Sequence, residues 1–515
     1  MKTGNQRIGM RPMIILLGVA LLAGCGGREK QTVEPPKDGW PAAVPETQGV
    51  DSALLLDMLR AIHEENIQIR SIIAVRHGRL VLEFYRYPYG RDVTFNTKSA
   101  SKSIVSALVG VALREQWIES LDQALADLMP EYFQGDIDPL KKQITLRHIL
   151  TMTSGLGIEE QSPEWGAIFT SEDPVRATLD FPMAAKPGET FNYLTPMPLL
   201  LAAVLERTGG MDLQTVCERH LFGPLDVRAA FWKPIEGRLI FSDTHMRPID
   251  MAKFGMLYLR GGVWHQEQLL PRSWVEASTA PSVMDTGEPE GAYGLMWWID
   301  REKHIFKALG WGGQGIYVLP DRDAVIVTTS SDYDASQRMV YDFLLPAMGS
   351  MDALPANPET VAGLTRMLDR FATADGDGML PIKPHPKLAG TVDGVTYDLE
   401  PNAAGWRSMA FHFTEGGCRF TLGTDEGTHD LEVGLDNVYR LGDAGRYGER
   451  PDHNPVALRG KWSSEDTFFL DFLQLGRPEH AWIDVRFKED EIDLRVELAG
   501  TGGFSMPMSG KRRAT

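Results

Sequence analysis

Lys98-Ser-Ala-Ser-Lys-Ser-Ile-Val-Ser-Ala-Leu-Val-Gly-Val-Ala-Leu, residues 98–113, is the stretch on which the reading of this chain turns. Its apolar residues Ile104, Val105, Leu108, Val109, Ala112 and Leu113 recur at spacings of three and four, which predicts a buried helix beginning near Ser99. Ser99 and Lys102 stand three apart, so they share a helix face about one turn from each other. A serine hydroxyl is a weak nucleophile that needs a base. A lysine serves as one when its surroundings favour the neutral amine, as burial and neighbouring cations do. The N-terminus of such a helix also offers backbone N–H groups and positive dipole where an oxyanion would form. A helix cap beside a solvated lysine would leave the same four letters, so the pattern needs support from elsewhere in the chain.

Working outward, Leu54, Leu55, Met58, Leu59 and Ile62 predict an amphipathic helix over 51–65, capped by Asp51 or Ser52. Residues 71–87 alternate around Arg76-His-Gly-Arg79 and predict a β-hairpin. A helical, loop-rich region follows to about residue 280. Strands are predicted at 293–299, 304–309, 315–319 and 324–329, and helices at 336–348 and 358–374. A hairpin at the start and strands at the end can join in one sheet that brackets the helical insert, an α+β organisation. Past the linker-like residues 375–381, short alternating segments between Gly, Asp and Asn turns predict an antiparallel β-barrel (lipocalin-like) or sandwich over 385–512. Its Trp406, Trp462 and Trp482 are expected in the core rather than at a ligand.

The composition suits folded domains: 43% hydrophobic and 24% charged residues in a chain long enough for two to four of them. With 52 Lys and Arg against 70 Asp and Glu, the net charge is -18, and no basic cluster is present to bind phosphates. Nucleic acid is therefore an unsuitable partner, and a small molecule or peptide is expected. Lys2, Arg7 and Arg11 lead into an apolar run from Met13 to Ala23, too short to span a bilayer and suited to a signal peptide over 1–24. Its removal takes three positive charges, so -18 becomes -21. Residues 25–44 form a tether, and the catalytic body is expected over 45–374. Cys217 and Cys418 are expected as unlinked buried thiols, although export would permit a disulfide.

Leu21-Leu-Ala-Gly-Cys25 resembles the lipobox of bacterial lipoproteins, which implies cleavage before Cys25 and its acylation. By that resemblance, Gly26 rather than Asp after the cysteine implies the outer membrane, facing the periplasm. Residues 45–350 resemble the serine β-lactamase-related superfamily: class C β-lactamases, D-aminopeptidases and carboxypeptidases, β-lactamase-type esterases and 6-aminohexanoate-dimer hydrolases. The matching residues are Ser99-Ala-Ser-Lys102, Thr145-Leu-Arg-His-Ile-Leu-Thr-Met-Thr-Ser-Gly-Leu156, Pro187-Gly-Glu-Thr-Phe-Asn-Tyr193, Asp250-Met-Ala-Lys-Phe-Gly-Met-Leu257 and Tyr293-Gly-Leu-Met-Trp-Trp298.

The resemblance implies a β-lactamase/transpeptidase-like sheet flanked by helices, with a helical subdomain. It also implies that Tyr193 shares proton transfer with Lys102. The family's Tyr-x-Asn becomes Tyr193-Leu-Thr195, a departure that bears on amide recognition. Trp311-Gly312-Gly313 takes the place of the Lys-Thr-Gly element, the glycines letting substrate approach the strand, and the N–H of Gln314 is expected to join that of Ser99 as the oxyanion hole. Gly310-Trp-Gly-Gly-Gln-Gly315 also fits a dinucleotide fingerprint, but a strand rather than a helix follows it. Trp165 and His148 are candidates to line or support the cleft, with core packing the alternative. No metal-ligand spacing is found, so neither metal nor cofactor is expected. The expected activity is a serine hydrolase of small esters or amides, since Trp311 removes the cation that would meet a β-lactam carboxylate. A cell-wall peptide hydrolase, a β-lactamase and a catalytically silent binding lipoprotein remain as alternatives.

Overall fold

The computed structural model describes residues 40–514 apart from 228–229, 236–237, 375, 377, 403, 426, 443–454 and 500–504. The expected signal peptide, Cys25 and most of the tether lie outside the described residues.

Helix α1 (Ser52–Glu64) starts where Asp51 accepts the N–H of Ala53, and it buries Leu55, Met58, Leu59 and Ile62. The hairpin follows as β1 (Ile69–Arg76) and β2 (Arg79–Tyr85). Helix α2 (Ser101–Arg114) is buried from Ser101 to Ala112, and Ser99 precedes it in a single 3-10 turn, Lys98–Ala100. Because α2 is enclosed on all sides, its serines need internal acceptors: Ser103 Oγ donates to Met296 O at 2.6 Å and Ser106 Oγ to Leu295 O at 2.7 Å. Helices α3 (Met197–Gly209), which packs on α2, and α4 (Pro248–Leu259) follow it in sequence.

Five further strands complete the sheet: β3 (Ala292–Tyr293), β4 (Trp298–Asp300), β5 (Ile305–Gly310), β6 (Gln314–Leu319) and β7 (Ala324–Ser330). The order is β2-β1-β7-β6-β5-β4-β3, antiparallel throughout, so the N-terminal hairpin lies beside the last strand of the body. Where a single strand is predicted over 293–299, residues 294–297 instead form a tight turn between β3 and β4. The amides of Leu295 and Met296 bond Ser278 and Leu150, and their carbonyls serve α2. Helical packing has thus taken the backbone groups that a strand would need. The region read as helical and loop-rich also carries a three-stranded sheet, formed by Phe95–Asn96, Ala230–Ile235 and Arg238–Met246. The second helix predicted near the end is α5 (Pro358–Ala372), which packs on α1.

The C-terminal region is a ten-stranded antiparallel sheet: β8 (Thr396–Leu399), β9 (Trp406–Thr414), β10 (Gly417–Thr424), β11 (Gly427–Val433), β12 (Arg440–Gly442), β13 (Val456–Trp462), β14 (Thr467–Gln474), β15 (His480–Phe487), β16 (Glu491–Ala499) and β17 (Ser505–Arg512). Its order, β11-β10-β9-β8-β17-β16-β15-β14-β13-β12, curls until Gly434 bridges Arg459, closing most of a barrel. The inside is filled by Phe411, Phe420, Phe468, Ile483 and their neighbours, so this barrel holds a packed core. Trp406 belongs to that core and Trp462 packs at its margin, but Trp482 is 39% exposed: it shares the outer face of β15 with His480, while Ile483 and Val485 face the core. Cys217 and Cys418 are both free and buried, one in each core.

Candidate active site

The site lies between the helical insert and the outer edge of β5. Strand β4 pairs only with Ile305–Lys307, so β5 is uncovered on that side from Ala308 to Gly310. The turn carrying Ser99 fits against this uncovered edge. A Cβ added at Gly310 would fall 2.2 Å from Thr97 O and 3.1 Å from Lys98 Cβ, so only glycine lets the strand approach so closely. Lys98 adopts φ +50°, a conformation favoured by glycine, and its N–H donates to Asn96 Oδ1 at 2.9 Å. Backbone strain is therefore stored immediately before Ser99.

Lys102 Nζ lies 2.8 Å from Ser99 Oγ, and the lysine side chain is almost wholly buried. The same nitrogen stands 4.8 Å from the centre of the Tyr193 ring. Tyr193 is held by aromatic packing, stacked on Trp298 at 5.4 Å and edge-on to Tyr293 at 6.0 Å. Burial pushes the Tyr293 hydroxyl well above the usual phenol range, so Tyr293 serves as a neutral wall. Ser99, Lys102 and Tyr193 are thus brought together.

The other predicted positions separate. Thr195 lines the cleft and donates its N–H to Glu160 Oε1. Burial holds the Glu160 carboxyl above its ordinary range, against the opposing effects of the Thr195 amide and the Lys102 charge. Trp311 lines the cleft and is 41% exposed. Gly312 and Gly313 form the turn between β5 and β6 at φ +76° and +85°. Their surroundings are protein: a Cβ would meet Pro478 at Gly312, and Ser336 Oγ at 2.4 Å at Gly313. Both glycines answer to turn geometry and packing, and Gly312 also borders a cavity beside Trp311. Gln314 begins β6 opposite Gly310, one strand further from Ser99, and its buried amide donates to Ser330 O at 2.6 Å. Trp165 lines the cleft beside Phe169, while His148 caps its own short helix through Thr145. The fingerprint-like glycines lead into strand β6, as read.

Two carboxylates at the cleft were not singled out by sequence. Glu160 reaches it from the loop after Leu156. Glu479 comes from the barrel and pairs with Lys98 Nζ at 2.7 Å. Burial opposes its ionisation, but the Lys98 charge and hydrogen bond outweigh that and hold it below the usual carboxylate range. The cleft encloses about 1200 Å³, with Glu159, Glu288 and Glu290 also on its walls.

The model of the family described as Beta-lactamase matches residues 63–345. The chain is 25% identical over 291 residues to the 6-aminohexanoate-dimer hydrolase of Paenarthrobacter ureafaciens, covering 52% of this chain and 74% of that one. It is 25% identical over 213 residues to Esterase EstB of Burkholderia gladioli, covering 36% of this chain and 53% of that protein, about half the length of the esterase. Among solved structures, one from Bacillus anthracis named for a 6-aminohexanoate-dimer hydrolase superposes with a TM-score of 0.51 at 20% identity, over 63% of this chain and 91% of the other. The family match spans more than half of the residues and takes in the turn of Ser99, the Tyr193 loop and strand β5, and on that ground the chain belongs to the Beta-lactamase family.

Proposed function

We propose that the protein is a serine hydrolase of small esters or amides working through an acyl-enzyme. The observation that carries this reading is the 2.8 Å contact of Lys102 Nζ with Ser99 Oγ beneath the Tyr193 ring. With the amine neutral, the Ser99 hydroxyl gives its proton towards Lys102 as its oxygen attacks the substrate carbonyl carbon. The proton passes by way of Lys102 and Tyr193 to the leaving oxygen or nitrogen as the carbonyl–heteroatom bond breaks. Water then attacks the Ser99 ester, and the same two groups return the proton to Oγ. For the oxyanion we assign the N–H of Ser99 and that of Trp311, in preference to Gln314. Trp311 follows the uncovered edge of β5 beside Lys98 and Ser99, whereas Gln314 belongs to the next strand.

The cleft walls favour uncharged substrates over carboxylates. Five glutamates line the space, and Lys98 is already paired with one of them. A β-lactam or wall peptide would bring its own carboxylate into that field with no free cation to meet it at Trp311. A panel of 4-nitrophenyl esters, D-amino-acid peptides and a chromogenic cephalosporin, run on wild type and Ser99→Ala, tests the reading. Ester turnover that is lost in the variant is expected; turnover equal in both proteins would exclude Ser99 as the nucleophile.

Lipid anchorage at Cys25 on the periplasmic face of the outer membrane is also proposed, supported by the lipobox-like residues 21–25. No helix among the described residues is long and apolar enough to cross a membrane. Palmitate should label wild type and not Cys25→Ser, and equal labelling would sink the anchor.

A further inference from the structure

Beyond the Trp311 ring lies a second cavity of about 440 Å³, and Trp311 and Tyr333 border both it and the catalytic cleft. Its remaining walls come from two regions of the fold: Gln68, Gly312, Ser331 and Asp332 from the N-terminal body, His480 and Trp482 from barrel strand β15. The barrel segment leading into that strand is clamped to the body. Asn96 N donates to Gly476 O at 2.7 Å, Arg70 donates to the carbonyls of Arg477 and Pro478, Pro478 closes over Gly312, and Glu479 pairs with Lys98.

The aromatic wall is equally fixed. His480 Nε2 bonds Asp471 Oδ1, and the other oxygen of Asp471 accepts Tyr439 Oη at 2.8 Å and Arg459 Nε at 2.9 Å. The imidazole then holds Trp482 at a ring separation of 5.4 Å. Trp311 and Trp482 are among the few large apolar side chains exposed in the described residues, and both border this one cavity. Exposed aromatic faces gathered in a concave, preorganised space are suited to a flat apolar ligand.

We propose that this cavity is a second substrate subsite, which takes an aryl group carried some distance from the scissile bond, and that the barrel is thereby the specificity element of the enzyme. The inference rests on the hydrolase reading above, which assigns the adjoining cleft to the scissile bond. Aryl contact with Trp482 on one side and Trp311 on the other favours substrates long enough to reach past the Trp311 ring.

The test uses the full chain and ester pairs that differ only in ending in methyl or in phenyl after a flexible spacer, on the acyl or the alcohol side. Wild type should prefer one phenyl-ended series, and Trp482→Ala should lower that preference roughly tenfold, the worth of one aromatic contact. Trp482→Phe should restore most of it, which separates stacking from a folding defect. Direct binding of a phenyl-ended, non-hydrolysable ketone to Ser99→Ala protein, measured by calorimetry, gives a readout independent of turnover. It should weaken when Trp482→Ala is added. Unchanged selectivity and unchanged ketone binding in Trp482→Ala would overturn the subsite. Loss of all ester turnover with ketone binding still dependent on Trp482 would instead overturn the hydrolase reading and keep the cavity as a binding site.

Discussion

Tyr193 separates chemistry from packing at a single atom. Its ring stacks on Trp298 and abuts Tyr293, whereas only its hydroxyl can relay a proton. Tyr193→Phe should keep the melting temperature and lower kcat/KM by about 10²- to 10⁴-fold, the usual contribution of a positioned acid or base. Ser99→Ala should abolish the covalent fluorophosphonate adduct seen by intact mass, and an equal adduct on the variant would exclude Ser99. These residues were legible because they sit in short motifs. Glu160 was not: its effect comes from the path of its loop, which delivers a half-buried carboxylate to the Thr195 amide and into the field of Lys102. Nothing in Glu159-Glu160 as letters distinguishes them from a solvated acidic pair.

Among the elements, α2 shows how tightly the turn of Ser99 is supported. Gly110 faces the Trp274 ring so closely that an added Cβ would fall 2.5 Å from Cδ1. Gly110→Ala gains about 1 kcal/mol of helix propensity, yet forcing a methyl against a buried indole costs about 1 to 3 kcal/mol. We expect net destabilisation, read as a lower urea midpoint; a raised midpoint would show that Trp274 moves aside freely. Helices α1 and α2, the β1-β2 hairpin and barrel strands β9, β10, β14 and β16 were legible from local periodicity. The break at residues 294–297 was not, because its cause is remote: Ser103 and Ser106 of α2 need the carbonyls there. In the three-stranded sheet only Phe95–Asn96 pairs remotely, with His245 and Met246; Ala230–Ile235 and Arg238–Met246 form a local hairpin that the reading of a helical, loop-rich region passed over.

For the whole molecule, the ion pair of Lys98 with Glu479 couples the barrel to the turn that carries Ser99. The Glu479 carboxyl lies below its ordinary value of 4.5 in the folded protein, so folded protein binds fewer protons there than unfolded chain. Its contribution is full above pH 4.5 and is lost as pH falls through the lowered value. The melting temperature of Glu479→Gln should therefore fall less steeply than that of wild type on acidification below about pH 5; parallel curves would show that the pair contributes nothing. Arg70→Ala, which leaves the Arg477 and Pro478 carbonyls without their donor, should destabilise the docked barrel by about 1 to 3 kcal/mol, visible in calorimetry as a second, earlier transition. That docking has a consequence for timing. Lys98 and Glu479 are separated by 381 residues, so this wall of the cleft emerges from the ribosome long after Ser99. A chain that stops before residue 476 carries Ser99 and Lys102 without the barrel segment that braces them.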